Sequence, residues 1–158
     1  MPTRLQVQEN IKNYLFLTKV RVIQTDEPFQ INVYFEDLAG KFVPEYASAI
    51  KEICPAHLCV TCKPYKSLLE DNVPPEIDFP EIIQHFALIT SGNMQSFQEC
   101  IKKALPDMNI VDIKFIENTI NVETDTPLSA EKLLYYSLYA QEIAPLGVAV
   151  MIHSLHLQ

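Results

Sequence analysis

The spacing of apolar residues switches between helical and strand-like periods along the first half of the chain. Apolar residues recur every three or four positions over residues 6–17, which predicts a helix. The next two segments, Lys19–Gln24 and residues 29–36, alternate apolar and polar side chains and are rich in β-branched and aromatic residues. They flank the turn-like sequence TDEP at 25–28, so together they predict a β-hairpin.

A second helix and a third strand follow. Pro44 suits the first turn of a helix, where its missing N–H has no partner to lose. Pro55 ends this helix, because the residue before a proline avoids helical geometry. The alternating segment HLCVTCK at 57–63 then predicts a strand. Residues 1–66 are therefore expected to fold in the order αββαβ.

The second half repeats this order after an acidic, proline-rich segment at 67–80, which we interpret as a linker. Its predicted elements are a strand at 82–90, a helix at 95–105, strands at 110–117 and 119–123, a helix at 129–144 and a strand at 147–155. This βαββαβ order is that of the split βαβ or ferredoxin-like motif. The sequence predicts an α+β fold of two tandem ferredoxin-like (split βαβ) repeats, 1–66 and 81–158. The first repeat lacks the opening strand.

An internal duplication supports this division. Residues 7–15 (VQENIKNYL) reappear ninety positions later as 97–105 (FQECIKKAL), with five of the nine positions identical. The same offset aligns Tyr46, Glu52, Ile53, Pro55 and Val60 with Tyr136, Glu142, Ile143, Pro145 and Val150. The retained positions are mostly apolar or on helix surfaces, so the duplication preserves a scaffold rather than a reactive group. We expect four pairs to be core residues: Ile11 and Ile101, Val33 and Val122, Ile53 and Ile143, and Val60 and Val150.

Charge and hydropathy restrict the classes of partner. The formal net charge of −8 disfavours nucleic-acid binding, which needs clustered cations. Residues 67–101 hold six acidic side chains and no lysine or arginine, which fits either a solvated linker or a contact for a basic partner surface. No apolar run reaches the roughly 18 residues of a membrane span, and the first ten residues lack the apolar core of a signal peptide. We expect a soluble protein in the cytoplasm of the producing cell.

A cluster of soft ligands, Cys54, His57, Cys59 and Cys62, is similar in spacing to a zinc or redox motif. Strand periodicity argues against such a site, because it turns Cys59 and Cys62 to opposite faces. The only other cysteine is Cys100, so no second Cys-x-x-Cys pair exists. We expect buried free thiols, no metal and no cofactor, in a reducing compartment. Metal binding and redox chemistry remain the alternatives.

Catalytic signals are weak throughout the chain. A cysteine–histidine pair could be drawn from His57, His85, His153 or His156, but nothing in the sequence places a base or an oxyanion hole beside a thiol. The chain has three glycines and no glycine-rich run that could cradle a phosphate. We therefore predict no catalytic residue and a protein that is not an enzyme.

The candidate interface residues fall into two groups. The missing opening strand predicts an unpaired sheet edge in the first repeat, at Lys19–Gln24 or at 57–63, with Lys19, Arg21 and Lys63 as partial guards. A partner strand is expected to complete this sheet, unless residues 82–90 pair across both halves. The second group, Tyr135, Tyr136 and Tyr139, covers two faces of one helix, and tyrosine is favoured at protein contacts.

One pattern resembles a known family. A strand, a helix, a helix-ending proline and an alternating strand occur twice, in FQINV…EYASAIKEICPAHLCVTCKPY and in TINV…KLLYYSLYAQEIAPLGVAVMIHSL. This pattern resembles the α/β modules of baseplate-J-like proteins, the baseplate-wedge proteins of contractile phage tails and related injection systems. This chain departs from the family in being short and in carrying the module twice.

The resemblance implies a structural role in assembly and a place in a virion tail, with other protein subunits as partners and no catalytic residue. An intracellular adaptor or chaperone-like binding module is the alternative, and a small Cys/His enzyme is the third hypothesis. Whether the chain also forms a homo-oligomer is left open.

Overall fold

The computed structural model describes residues 1–155, and both halves contain the same order of five elements. The first half consists of helix α1 (Arg4–Leu15), strands β1 (Lys19–Gln24) and β2 (Gln30–Glu36), helix α2 (Tyr46–Ile53) and strand β3 (Cys59–Pro64). The second half consists of helix α5 (Met94–Ala104), strands β4 (Ile110–Ile116) and β5 (Thr119–Thr124), helix α6 (Ala130–Ile143) and strand β6 (Ala149–Ser154). Two further helices, α3 (Ser67–Glu70) and α4 (Glu81–Ile89), join the halves.

Each half forms a three-stranded mixed sheet, in the orders β1-β2-β3 and β4-β5-β6. The first two strands of each sheet form an antiparallel hairpin, and the third runs parallel to the second. The second hairpin turns at Glu117 and Asn118, which both have left-handed backbone angles (φ 49° and 62°). Two consecutive left-handed residues are typical of a tight turn between twisted strands. The protein is thus a mixed α+β fold, with six helices and two sheets in its described part.

The prediction of a strand at 82–90 is wrong, because this segment is helix α4. Its apolar residues Ile82, Ile83, Phe86 and Ala87 are spaced to form one helical face, and Ile83 and Ala87 are buried. The second half therefore has no opening strand, and the predicted asymmetry between the halves is also wrong. Pairing of this segment across both sheets is ruled out by the same finding.

Side-chain caps explain where three of the helices begin. Thr3, Asn93 and Ser129 precede α1, α5 and α6, and each side chain accepts a hydrogen bond from a backbone N–H of the first helical turn. In the described part of the chain, no helix is long and apolar enough to cross a membrane.

The predicted core pairs are confirmed in part. Ile11 and Ile101 are fully buried, as are Val33 and Val122. Ile143 is also fully buried, but Ile53 is only half-buried and packs at the margin of the first core. Val60 and Val150 are both half-buried, because they lie on the outer strands β3 and β6, where a core residue has neighbours on one side only.

The first part of the predicted linker is packed structure. Leu68 of α3 is buried, and Asp71 accepts hydrogen bonds from Tyr34 Oη (2.7 Å) and Lys63 Nζ (2.9 Å). Tyr34 alternates with the core residue Val33 along β2, so it lies on the opposite face of the first sheet. Its exposed fraction is nevertheless 1%. The segment after β3 therefore covers the outer face of the first sheet at Tyr34, whereas Glu70, Glu76 and Asp78 in this segment are exposed.

The two halves pack on each other through backbone and side-chain contacts. The Leu146 N–H donates to the Pro2 carbonyl oxygen (2.7 Å), and Leu146 belongs to the hydrophobic core of the first half. The Gly147 N–H donates to Gln24 Oε1 (2.9 Å). A Cβ atom at position 147 would lie 2.9 Å from the ring of Phe29, and φ there is +93°, so glycine is required. This junction is a tightly fitted interface.

Candidate interface

The structure does not bring the six predicted interface residues together. Lys19 and Arg21 lie on β1, Lys63 lies on β3, and these strands form opposite edges of the first sheet. Lys19 Nζ is 3.1 Å from Glu36 Oε1 and Lys63 Nζ is 2.9 Å from Asp71 Oδ2, so both lysines have acidic partners within the chain. The hydrogen bonds from Tyr34 and Lys63 lower the pKa of Asp71 below its ordinary value.

The tyrosines of α6 have divided roles. Tyr136 and Tyr139 are half-buried against the second hydrophobic core, and the Tyr139 ring contacts the Phe79 ring with centroids 6.1 Å apart. Only Tyr135 is exposed, at 47%. Of the three predicted tyrosines, Tyr135 alone is exposed, although its ring also contacts the Tyr139 ring (centroids 6.4 Å apart).

Arg21 is the unusual member of the set. Its Nε is buried and has no hydrogen-bond partner within the described residues. It lines a hollow of about 220 Å³ between β1 and α6, together with Ile77 and Leu138. Glu76 and Glu142 line the same hollow, so it offers little net attraction to an anion.

The junction beside this hollow contains an ion-pair network. Arg4 makes two hydrogen bonds to the carboxylate of Glu142 (3.1 and 2.8 Å), one to Glu76 (2.9 Å) and one to Gln8 (2.9 Å). Burial works to lower the pKa of Arg4, but its hydrogen bonds and charge contacts with the two glutamates outweigh burial and raise this pKa. The network joins α1 to α6 and is structural.

The sequence predicted strand β4 (110–117 against the observed Ile110–Ile116) but not its position as an open edge of the second sheet. Within the described part of the chain, its only paired neighbour is β5. Three large apolar side chains on it are more than half exposed: Val111 (53%), Phe115 (52%) and Ile116 (54%). Among residues 1–155, no backbone hydrogen bond links the outer side of β4 to another element. β4 is therefore an open, apolar strand edge.

The other outer strands are either guarded or less apolar than β4. β1 carries Lys19 and Arg21, and α1 packs against it. β3 ends in Lys63 and Pro64, and both residue types hinder strand addition. β6 exposes one large apolar side chain, Met151 (53%). The sequence did contain a signal for β4, since the heptapeptide IVDIKFI has five apolar residues and two charges.

Two hollows are lined in part by β4 residues. One, of about 210 Å³, is largely apolar and is lined by Phe115, Met1, Met94 and Val148, among others. The other, of about 190 Å³, lies between α5 and β4 and is lined by Gln98, Lys102 and residues 110–113. Strand addition gains specificity from such places for alternate side chains of the incoming strand. This edge can accept a polypeptide strand.

The prediction of buried thiols is confirmed for Cys54 and Cys100 and wrong for Cys59, which is exposed, while Cys62 is half-buried. Cys59 lies on the face of β3 that points away from the core, as its strand periodicity requires. Burial, followed by the proximity of Cys62, raises the pKa of Cys54 to about 11. Burial also raises the pKa of Cys62. These two groups are therefore protonated thiols at neutral pH, a poor state for nucleophilic catalysis.

The histidines that the structure describes belong to no group of side chains that could bind a metal ion. The His57 ring packs edge-on against Phe29, and His153 Nε2 lies 3.0 Å from Asn121 Oδ1. His156 lies outside the described residues. Within the described residues no group of three or more His, Cys, Asp or Glu side chains could hold a metal ion.

Alkylation should distinguish the thiols. At pH 8, iodoacetamide is expected to modify Cys54 about 100-fold more slowly than Cys59, because a pKa of about 11 leaves little thiolate and burial restricts access. The Cys54 rate should rise as the pH approaches 11. Peptide mass spectrometry of timed samples measures both rates, and a denatured sample provides the control. Equal rates in the folded protein would contradict the buried position of Cys54.

The chain was also compared with known proteins. No model of a known family, no curated protein and no solved structure matches it.

Proposed function

We propose that this chain is a non-enzymatic subunit of a protein assembly and that it binds a neighbouring subunit by strand addition at β4. The supporting observation is the open edge of β4, with Val111, Phe115 and Ile116 all more than half exposed. Proteins that remain monomeric usually cover or charge such an edge, because its free N–H and C=O groups invite pairing with another chain.

The energetics favour occupation of this edge. An added strand replaces the hydrogen bonds from the free backbone groups to water with hydrogen bonds to protein. Each such hydrogen bond contributes about 1 kcal/mol net. Burial of the exposed apolar side chains adds roughly 25 cal/mol for each Å² removed from water. Only Asp112 and Lys114 interrupt the apolar row of β4. Backbone hydrogen bonding and apolar burial therefore both favour the binding of a partner strand.

A tail baseplate or related injection machine is our proposal for the assembly. Its support is the repeated helix–proline–strand module, which is formed by α2, Pro55 and β3 and again by α6, Pro145 and β6. The proposal places the chain in the cytoplasm of the producing cell and then in the virion tail. That the two repeats are ferredoxin-like stays a prediction. Each observed sheet has three strands, one fewer than the four of the split βαβ motif.

A binding experiment with the products of neighbouring genes tests this proposal. The variant Ile116→Lys should weaken complex formation at least about tenfold, because it places a charge in the apolar edge. Leu69→Lys is the matched control, since Leu69 is an exposed apolar residue (86%) of α3 and lies outside both sheets. Size-exclusion chromatography and a titration measure the affinities.

The outcome separates the candidate functions. A complex with tail proteins that is lost in Ile116→Lys and kept in Leu69→Lys supports the assembly role. A complex with unrelated client proteins at the same edge favours the adaptor or chaperone-like module instead. Equal binding by both variants and the native chain contradicts a role for β4.

A further inference from the structure

We propose that β4 pairs antiparallel with β4 of a second copy of this chain, across a twofold axis through Ile113. This inference rests on the proposed function and specifies the partner strand. The β4-β5-β6 sheet of one copy would join the β4-β5-β6 sheet of the other, edge to edge, into one continuous six-stranded sheet. Such an interface is isologous, so the same patch must be complementary to itself.

The sequence of β4 has this self-complementarity. Around Ile113, the heptapeptide IVDIKFI has an acid on one side and a base on the other, each followed outward by apolar residues. In the twofold pairing, Asp112 faces Lys114 of the partner subunit, and Lys114 faces Asp112 of the partner subunit. Further out, Val111 faces Phe115 of the partner subunit. Opposite charges and apolar pairs directly across a sheet both stabilise it.

The neighbouring registers are disfavoured. Side chains directly opposite each other in a sheet lie on the same face, whereas consecutive residues of one strand lie on opposite faces. A twofold axis perpendicular to the sheet keeps each residue on its own face. The axis must therefore pass through a residue, because an axis between two residues would pair side chains from opposite faces. An axis through Asp112 would set Asp112 against its own copy, and an axis through Lys114 would do the same for Lys114. Like charges directly opposite destabilise a strand pair. Of these three registers, the charges therefore favour the one centred on Ile113.

The charged pair is available for this exchange. The Asp112 and Lys114 side chains are 44% and 59% exposed, and among residues 1–155 each forms an ion pair with the other alone, at 3.5 Å. Both lie on the sheet face opposite the core residue Val122, which pairs with Ile113. A bulge between Ile110 and Asp112 disturbs the ladder at one end. The central run 112–114 therefore carries the register.

A hollow beside β4 lies where the proposed register brings the partner's aromatic residue. Phe115 pairs with the buried Ile120, so its side chain lies on the core face of the sheet, the face that α5 covers. In the proposed register, Phe115 of the partner subunit lies beside Val111, at the hollow of about 190 Å³ lined by Gln98 and Lys102. The proposed register thus brings this half-exposed aromatic ring to the hollow beside the bulge at Val111.

Charge-swap variants test this pairing by sedimentation over a range of concentrations. The native chain should form a dimer. Asp112→Lys alone and Lys114→Asp alone should each weaken dimerisation at least about tenfold, because both interfacial charge pairs become repulsive. The double variant Asp112→Lys/Lys114→Asp should dimerise like the native chain. An equimolar mixture of the two single variants should form a heterodimer, and their unfolding midpoints report that both are folded.

The results distinguish this proposal from the proposed function. A native chain that stays monomeric at every concentration overturns the self-pairing, and so does a dimer that all three variants form equally well. If the chain is monomeric but Ile116→Lys still abolishes binding to another subunit, strand addition at β4 stands and its partner is a different protein.

Discussion

Ile143→Ala is expected to lower the free energy of unfolding by about 2–5 kcal/mol, through lost burial and the cavity left behind. Ile143 is fully buried in the second core. Ile53→Ala, the same substitution at the equivalent position of the first repeat, should cost less than about 2 kcal/mol, because Ile53 is only half-buried. Denaturant titrations of both variants measure the difference.

The comparison is internally controlled, since the two isoleucines share a position in the repeat and differ in burial. Ile11→Ala and Ile101→Ala, whose isoleucines are both fully buried, should instead show similar and large costs. A cost for Ile53→Ala equal to that for Ile143→Ala would show that the two cores are packed alike, contrary to the structure.

Arg4→Ala is expected to destabilise the protein by about 3 kcal/mol, because it leaves the carboxylate of Glu142 buried without its partner. The side chain of Glu142 is 6% exposed and receives two hydrogen bonds from Arg4. Glu142→Ala should have a comparable effect. Thermal and denaturant unfolding of the single and double variants gives the coupling energy between the two residues.

The repeat again provides the control. Glu52 occupies the position equivalent to Glu142 but is exposed, so Glu52→Ala should change stability by no more than about 0.5 kcal/mol. If Arg4→Ala were as mild as Glu52→Ala, the ion-pair network would not hold the two halves together.

Local patterns predicted most of the fold. The strand at Lys19–Gln24 matches the prediction residue for residue, because alternation and β-branched residues define it clearly. The helix that ends before Pro55 also follows from the sequence, since proline stops a helix through local sterics. The duplication correctly indicated two halves with the same order of elements.

The predictions failed where tertiary contacts determine the secondary structure. The segment at 82–90 contains β-branched residues in a short apolar run, and such a run does not by itself distinguish a strand from a helix. Burial of Ile83 and Ala87 on one helical face favours the helix. Because this strand was expected in the second half, an open edge was predicted in the first half alone. β1 and β3 are the outer strands of the first sheet as predicted, but β4 of the second sheet is an open edge too.

The ion pair at the junction was beyond sequence reasoning for a different reason. Arg4 and Glu142 are 138 residues apart, and no local pattern connects them. The repeat equivalent of Glu142 is the exposed Glu52, so the alignment pointed to a helix-surface role for both. Packing of the halves gave Glu142 a charged partner, whereas Glu52 has none among the described residues.

Amide hydrogen exchange along β4 is the most direct test of strand addition. In dilute solution, where the chain is alone, amides on the outer side of β4 (Ile110–Ile116) should exchange much faster than those of the central strand β5 (Thr119–Thr124). In the assembled state the β4 amides should become protected, while those of β5 change little. Protection of β4 equal to that of β5 in the isolated chain would show that the edge is already covered, and would contradict the account.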